Sequence, residues 1–304
     1  MVQRVIYSKD STNRPSPPWT WGAVADLIRL DNQAGTLLLV LPSLWSLVLA
    51  NRGRPPISLI GTFMLGAFVM RSLGVVLNDL ADRDFDKHVA RTSNRPLAAG
   101  RLVPRQALLV ALILALIAVG LVATLNWLTI LLSPIALLLA AVYPFCKRWF
   151  QIPQAVLGIA FGWGAVMAWA ASSDTIALPA WWLFAATICW AVAYDTIYAL
   201  QDREDDRRIG VKSSALLFGT AVPAAVGLFL LGMVVCLIVV GRLAGLGIAY
   251  YVALMLLTGM FLRQARRLRF PVTPSQAFSM FQQHVLAGLM ILITLWMSTA
   301  NELH

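Results

Sequence analysis

Nine stretches of this chain are long and apolar enough to cross a bilayer, and that leaves few folds open. They run over residues 33–50, 57–80, 104–124, 126–145, 153–172, 179–200, 215–240, 243–262 and 282–299. A bilayer core about 30 Å thick needs about 20 apolar residues per spanning helix. In lipid, an open segment can satisfy its backbone polar groups only as a helix. The whole chain agrees, with 59% of its 304 residues hydrophobic, 12% charged and a mean hydropathy of +0.75. The prediction is an all-α integral membrane protein with nine transmembrane helices. Residues 1–20 are polar and Pro-rich and read as a tail, not a signal peptide. Residues 21–304 read as a single membrane-embedded domain.

The net charge of +10 invites a nucleic-acid reading, but its distribution argues against one. With the nine-helix map, 20 of the 24 Lys and Arg fall in the tail and the loops on its side. Only Arg52, Arg54 and Arg242 fall on the other side, and Arg71 lies within a span. Cytoplasmic loops carry such an excess, so the N-terminus is expected in the cytoplasm. A basic cytoplasmic face attracts anionic lipid, which accounts for most of these charges without nucleic acid. Cys146, Cys189 and Cys236 have no metal-type spacing and read as core residues.

The acids are concentrated. Nine of 14 fall in two windows, Asp79, Asp82, Asp84 and Asp86, then Asp195, Asp202, Glu204, Asp205 and Asp206. "DRDFDKHVARTS" (82–93) aligns with "DREDDRRIGVKS" (202–213), which marks an internal pseudo-repeat. Each box ends a predicted span on the cytoplasmic side. On a helix of 100° per residue, Arg71, Asn78, Asp82 and Asp86 share a sector of about 100°. Asp195, Asp202 and Asp206 share one of about 40°. Asp79, Asp84 and Asp205 point off these stripes, toward water or neighbouring arginines. One such box could be a solvated helix end paired with local Lys and Arg. Two matched boxes, with Asp195 and Arg71 inside the apolar spans, point to function. Facing carboxylates repel unless a cation intervenes. Mg²⁺ takes carboxylate and amide oxygens and shares its shell with substrate phosphates. The flanking Arg83, Arg91, Arg203 and Lys212 would suit a diphosphate held between the boxes.

At these residues the chain resembles the UbiA family of intramembrane aromatic prenyltransferases. "NDLADRDFD" (78–86) is similar to the family's first box and "DTIYALQDREDD" (195–206) to its second. Four further stretches resemble the branch that uses 4-hydroxybenzoate: "RLDNQAGTLLLVLPSLW" (29–45), "RTSNRPLAAG" (91–100), "YPFCKRWFQIPQAVLGIAFGWG" (143–164) and "GVKSSALLFG" (210–219). The resemblance implies nine helices around a central cavity, in a bacterial inner or other internal membrane, with the active site facing the cytoplasm. It implies Mg²⁺-dependent transfer of a polyprenyl group from its diphosphate to an aromatic ring, an early step of quinone biosynthesis. Asn78, Asp82, Asp86, Asp202 and Asp206 would bind Mg²⁺. Lys147, Arg148 and Lys212 would hold the diphosphate, and Arg71 and Asp195 the acceptor.

The chemistry assigns finer roles. Arg71 can pair bidentately with the acceptor's carboxylate. Asp195 can bond its phenol or take the ring proton. Tyr143 and Tyr198 offer ring faces to an allylic cation. Other acceptors in the same fold (homogentisate, a dihydroxynaphthoate) and a cation-coupled transporter are the competing expectations. A transporter would place its carboxylates near the midplane, whereas most of these sit at helix ends.

Overall fold

The computed structural model describes residues 19–89 and 91–300, so most of the expected N-terminal tail lies outside it. The described residues are helical, with no strands among them. In chain order the helices are α1 (Trp21–Leu27), α2 (Ala34–Ala50), α3 (Ile57–Asp86), α4 (Pro104–Val122), α5 (Trp127–Trp149), α6 (Pro153–Ser173), α7 (Leu178–Ala199), α8 (Arg203–Ile209), α9 (Ser214–Phe218), α10 (Val222–Leu243), α11 (Ile248–Arg267) and α12 (Pro274–Ala300). Each of the nine apolar stretches overlaps a long helix. By length and composition, eight helices among the described residues can cross a membrane; α2, at 17 residues, is shorter.

The boundaries moved where turn chemistry outweighed hydropathy. Residues 215–240 do not form one helix. The chain turns at Gly219, whose φ of 52° suits a residue without a side chain, and α10 starts at Val222. Its end slides to Leu243, Gly245 turns at φ 70°, and α11 starts only at Ile248. The start of α12 lies eight residues before the expected 282, at Pro274, in the first turn where proline loses nothing.

The bundle centres on α7, which packs against α6, α10, α12 and α2. Between lipid-embedded helices close packing replaces the hydrophobic drive, so small residues sit at the contacts. Gly158 and Gly162, one turn apart on α6, lie against α7. A Cβ at Gly158 would stand 2.8 Å from the Ile188 Cα, and one at Gly162 2.9 Å from the Phe184 Cδ2. Polar side chains cross-link the buried faces. Trp45 Nε1 donates to the Gly288 carbonyl at 3.0 Å, Ser46 Oγ to the Ala165 carbonyl at 2.6 Å, and Trp190 Nε1 to His284 Nδ1 at 2.9 Å. Large apolar side chains of α4, α5 and α11, among them Leu112, Leu138 and Met255, point outward, where lipid would solvate them.

α3 is the element that carries the first box out of the bundle. At 1.5 Å per residue its 30 residues span about 45 Å, more than a bilayer core. Ile57–Asp86 stays one helix through "NDLADRDFD", so Arg71, Asn78, Asp82 and Asp86 do ride a single helix. The second box does not. α7 ends at Ala199, and Leu200, Gln201 and Asp202 donate to carbonyls three residues back. That tightening closes the helix. Asp202 then precedes α8, and its carbonyl accepts from Asp206 N at 2.8 Å to open the new helix. The common stripe expected for Asp195, Asp202 and Asp206 is therefore broken between Asp195 and Asp202.

Candidate active site

A cavity of about 740 Å³ opens between α2, α3, α4, α5, α6 and α7. Much of its wall is apolar, including Leu38, Phe63, Met70, Ala118, Leu137 and Met167. Its polar lining gathers Arg71 and Asn78 from α3, Tyr143 from α5, and Tyr194, Asp195 and Tyr198 from α7. Five of the residues singled out in the sequence thus share one cavity: Arg71, Asn78, Tyr143, Asp195 and Tyr198.

Arg71 is held by shape. Its guanidinium lies against the start of α2, where a Cβ at Gly35 would stand 2.5 Å from Nε and 3.0 Å from Nη2. Among the described residues no carboxylate comes within ion-pair distance of it. A cation inside a bundle without such a partner is ready for an anionic group. Asp195, by contrast, has a partner within the protein, as have Asp82 and Asp206.

Around the polar end of the cavity stand three further arginines, Arg29, Arg91 and Arg95. Arg29 Nη2 bonds both oxygens of Asp79 at 2.9 Å. Arg95 Nη1 reaches Asp79 at 3.1 Å and Asp86 at 2.8 Å. Asp79 is 1% exposed and sits between the two cations. It was expected off the stripe and among arginines. It is among arginines, but it also lines the cavity. Asp84 is exposed and pairs with Arg83 and Lys87.

Arg91 makes the link to the second box. Its Nε donates to Asp202 Oδ1 at 2.8 Å and its Nη2 to Asp202 Oδ2. Nη1 donates to the Tyr198 hydroxyl at 3.1 Å, and the guanidinium lies 5.3 Å above the Tyr198 ring. Burial disfavours the charge on Arg91. The hydrogen bond to Asp202 and the neighbouring Tyr198 and Asp202 outweigh it and hold its pKa above the ordinary value.

Two of the three cations expected at the diphosphate, Arg148 and Lys212, are not in this cavity wall. Arg148 donates to the Ala81 carbonyl at 2.9 Å and lies over the Phe85 and Phe145 rings. Lys212 donates to the Trp149 carbonyl at 3.1 Å. Both are exposed and serve as ties between helix ends. The Lys147 side chain lies outside the described residues.

Among the described residues no three His, Cys, Asp or Glu side chains converge into a set that could hold a metal ion by themselves. The donors available near the boxes are all hard oxygens, from Asn78, Asp82, Asp86, Asp202 and Asp206. That chemistry fits Mg²⁺, which is typically held by one or two carboxylates plus water and substrate phosphates.

A match to the UbiA prenyltransferase family covers residues 39–298. The chain is similar to 4-hydroxybenzoate octaprenyltransferase from Aeromonas salmonicida (strain A449). The two are 46% identical over 90% of this chain and 94% of the relative. Among solved structures it resembles a UbiA homolog from Aeropyrum pernix K1, at a TM-score of 0.73 and 26% identity, over 85% of this chain and 96% of that one. It also resembles a UbiA homolog from Archaeoglobus fulgidus bound to GPP and Mg²⁺, at 0.65 and 16%, over 90% and 99%.

Proposed function

This chain belongs to the UbiA prenyltransferase family, and from that premise we propose that it moves a polyprenyl group from its diphosphate to the ring of 4-hydroxybenzoate, ortho to the hydroxyl, in ubiquinone synthesis. The observation that carries this reading is the single cavity in which Arg71, Asn78, Tyr143, Asp195 and Tyr198 meet.

Asn78, Asp82 and Asp86, with Asp202 and Asp206, would hold Mg²⁺, which when bound would supply positive charge to the diphosphate. A UbiA homolog from Archaeoglobus fulgidus bound to GPP and Mg²⁺ supports Mg²⁺ as the ion. The apolar wall keeps water from the allylic cation. Tyr143 and Tyr198 present ring faces to it. Arg71 takes the carboxylate of the aromatic acid, being a cavity cation with no carboxylate at ion-pair distance among the described residues. Asp195 receives the phenol as a hydrogen bond or accepts the ring proton released after attack. Nine spanning helices, a cytoplasmic N-terminus and a site open to the cytoplasmic face of a bacterial inner membrane complete the reading, supported by the asymmetry of Lys and Arg. Asp82→Asn and Asp202→Asn test the two boxes. Each is expected to reduce Mg²⁺-dependent turnover in membranes at least ~100-fold, as loss of a charge-stabilising group does. Retention of most activity in either would remove that box from the assignment.

A further inference from the structure

One short loop reaches both boxes. Arg95 holds Asp86 at the end of α3, and Arg91, four residues earlier, holds Asp202 between α7 and α8. The two contacts differ in kind. The Arg95 side chain is 17% exposed and faces Asp79 and Asp86 at 1% and 9%, so it is a buried structural tie. The Arg91 side chain is 37% exposed and that of Asp202 16%. Unlike the Arg95 tie, this two-pronged pair can be reached from water, so a competing ion or anion can displace it.

The Arg91 pair also occupies what a cation would need. The fork of Nε and Nη2 covers both Asp202 oxygens, so Arg91 and a divalent ion compete for one carboxylate. The same fork fits phosphate oxygens. Arg91 itself lines the cavity beside Tyr198, so a diphosphate at the boxes would lie within its reach.

Resting on the function proposed above, we propose that Arg91 is an exchangeable counter-ion. It pairs with Asp202 as seen here and passes to the diphosphate when a divalent ion takes Asp202. Tyr198, under the guanidinium, is the pivot, since stacking on its ring tolerates rotation of the fork.

The exchange predicts effects of opposite sign on two affinities. Purified full-length protein in nanodiscs is titrated with Mn²⁺ alone and with Mn²⁺ plus inorganic pyrophosphate, bound ion being read by electron paramagnetic resonance. Arg91→Gln should bind Mn²⁺ alone about threefold to tenfold more tightly, because its competitor is gone. It should bind Mn²⁺ with pyrophosphate about tenfold more weakly, because the fork that receives the diphosphate is gone. Arg91→Lys should move both values the same ways by less. If both affinities weaken together, Arg91 is only a strap on the loop and the exchange is wrong. If neither moves, the contact is incidental and the exchange is equally wrong. Failure of the wild-type protein to bind Mn²⁺ even with pyrophosphate would instead overturn the metal assignment on which this rests.

Discussion

Arg71 owes its place to the residue opposite it. Gly35 has no side chain, and the guanidinium fills the space a Cβ would take. Gly35→Ala should therefore push Arg71 aside while leaving α2 a better helix former than before. The expected outcome is a KM for 4-hydroxybenzoate raised about tenfold, as for loss of one charged contact, with the KM for prenyl diphosphate and the unfolding temperature nearly unchanged. Steady-state kinetics with each substrate varied in turn check this. Arg71→Ala should show the same pattern more strongly; an effect confined to the diphosphate would contradict the assignment. Sequence alone exposed Arg71, because a charge inside an apolar run is conspicuous. Gly35 gave no such sign. The pairing of Asp79 with Arg29 and Arg95 was hidden for another reason. It joins residues 50 and 16 positions apart through a loop whose path helix periodicity cannot foretell. A sign was present nonetheless: Arg29, Arg91 and Arg95 all lie in stretches that resembled the 4-hydroxybenzoate branch.

Elements show the same division. The long apolar helices among the described residues were legible, since lipid forces apolar runs into helices. Their ends were not, because Gly219, Gly245 and the Asp202 turn act through local backbone chemistry that hydropathy averages away. The break after α7 matters most. It ended the simple stripe of the second box, yet it sets Asp202 in a turn where Arg91 can reach it. The contact of α6 with α7 fixes the other wall of the site, because α6 supplies Phe161 and α7 supplies Tyr194, Asp195 and Tyr198. Gly158→Ala puts a methyl 2.8 Å from the Ile188 Cα, a backbone atom that cannot swing away. It should destabilise the protein by about 1–3 kcal/mol, as overpacking does. A lowered unfolding temperature in detergent would register this, and an unchanged one would mean that the helices slide apart freely.

The whole molecule reads as an apolar bundle with one polar end. Asn78 and Asp79 of the first box, Asp195 and Tyr198 of the second, and four arginines line a cavity whose remaining wall is mostly apolar. That polarity suits a substrate with a charged head and an apolar tail. It suits a coupled transporter less well, since most of the carboxylates stand at helix ends and not at the midplane. The convergence of Arg71, Asn78, Tyr143, Asp195 and Tyr198 was legible because each is a polar or aromatic residue in or beside an apolar run, at or near a box. The hydrogen bonds of Arg148 and Lys212 to backbone carbonyls were not, because a surface cation looks the same in sequence whether it meets a ligand or a carbonyl. The central claim is prenyl transfer to 4-hydroxybenzoate. Membranes from cells expressing this chain, incubated with a prenyl diphosphate, Mg²⁺ and a panel of aromatic acids, test it most directly when the lipids are analysed by mass spectrometry. The account predicts a prenylated 4-hydroxybenzoate that disappears on chelation of Mg²⁺ and in Asp82→Asn; a preparation that yields no prenylated aromatic product, or yields it equally after chelation, would contradict it.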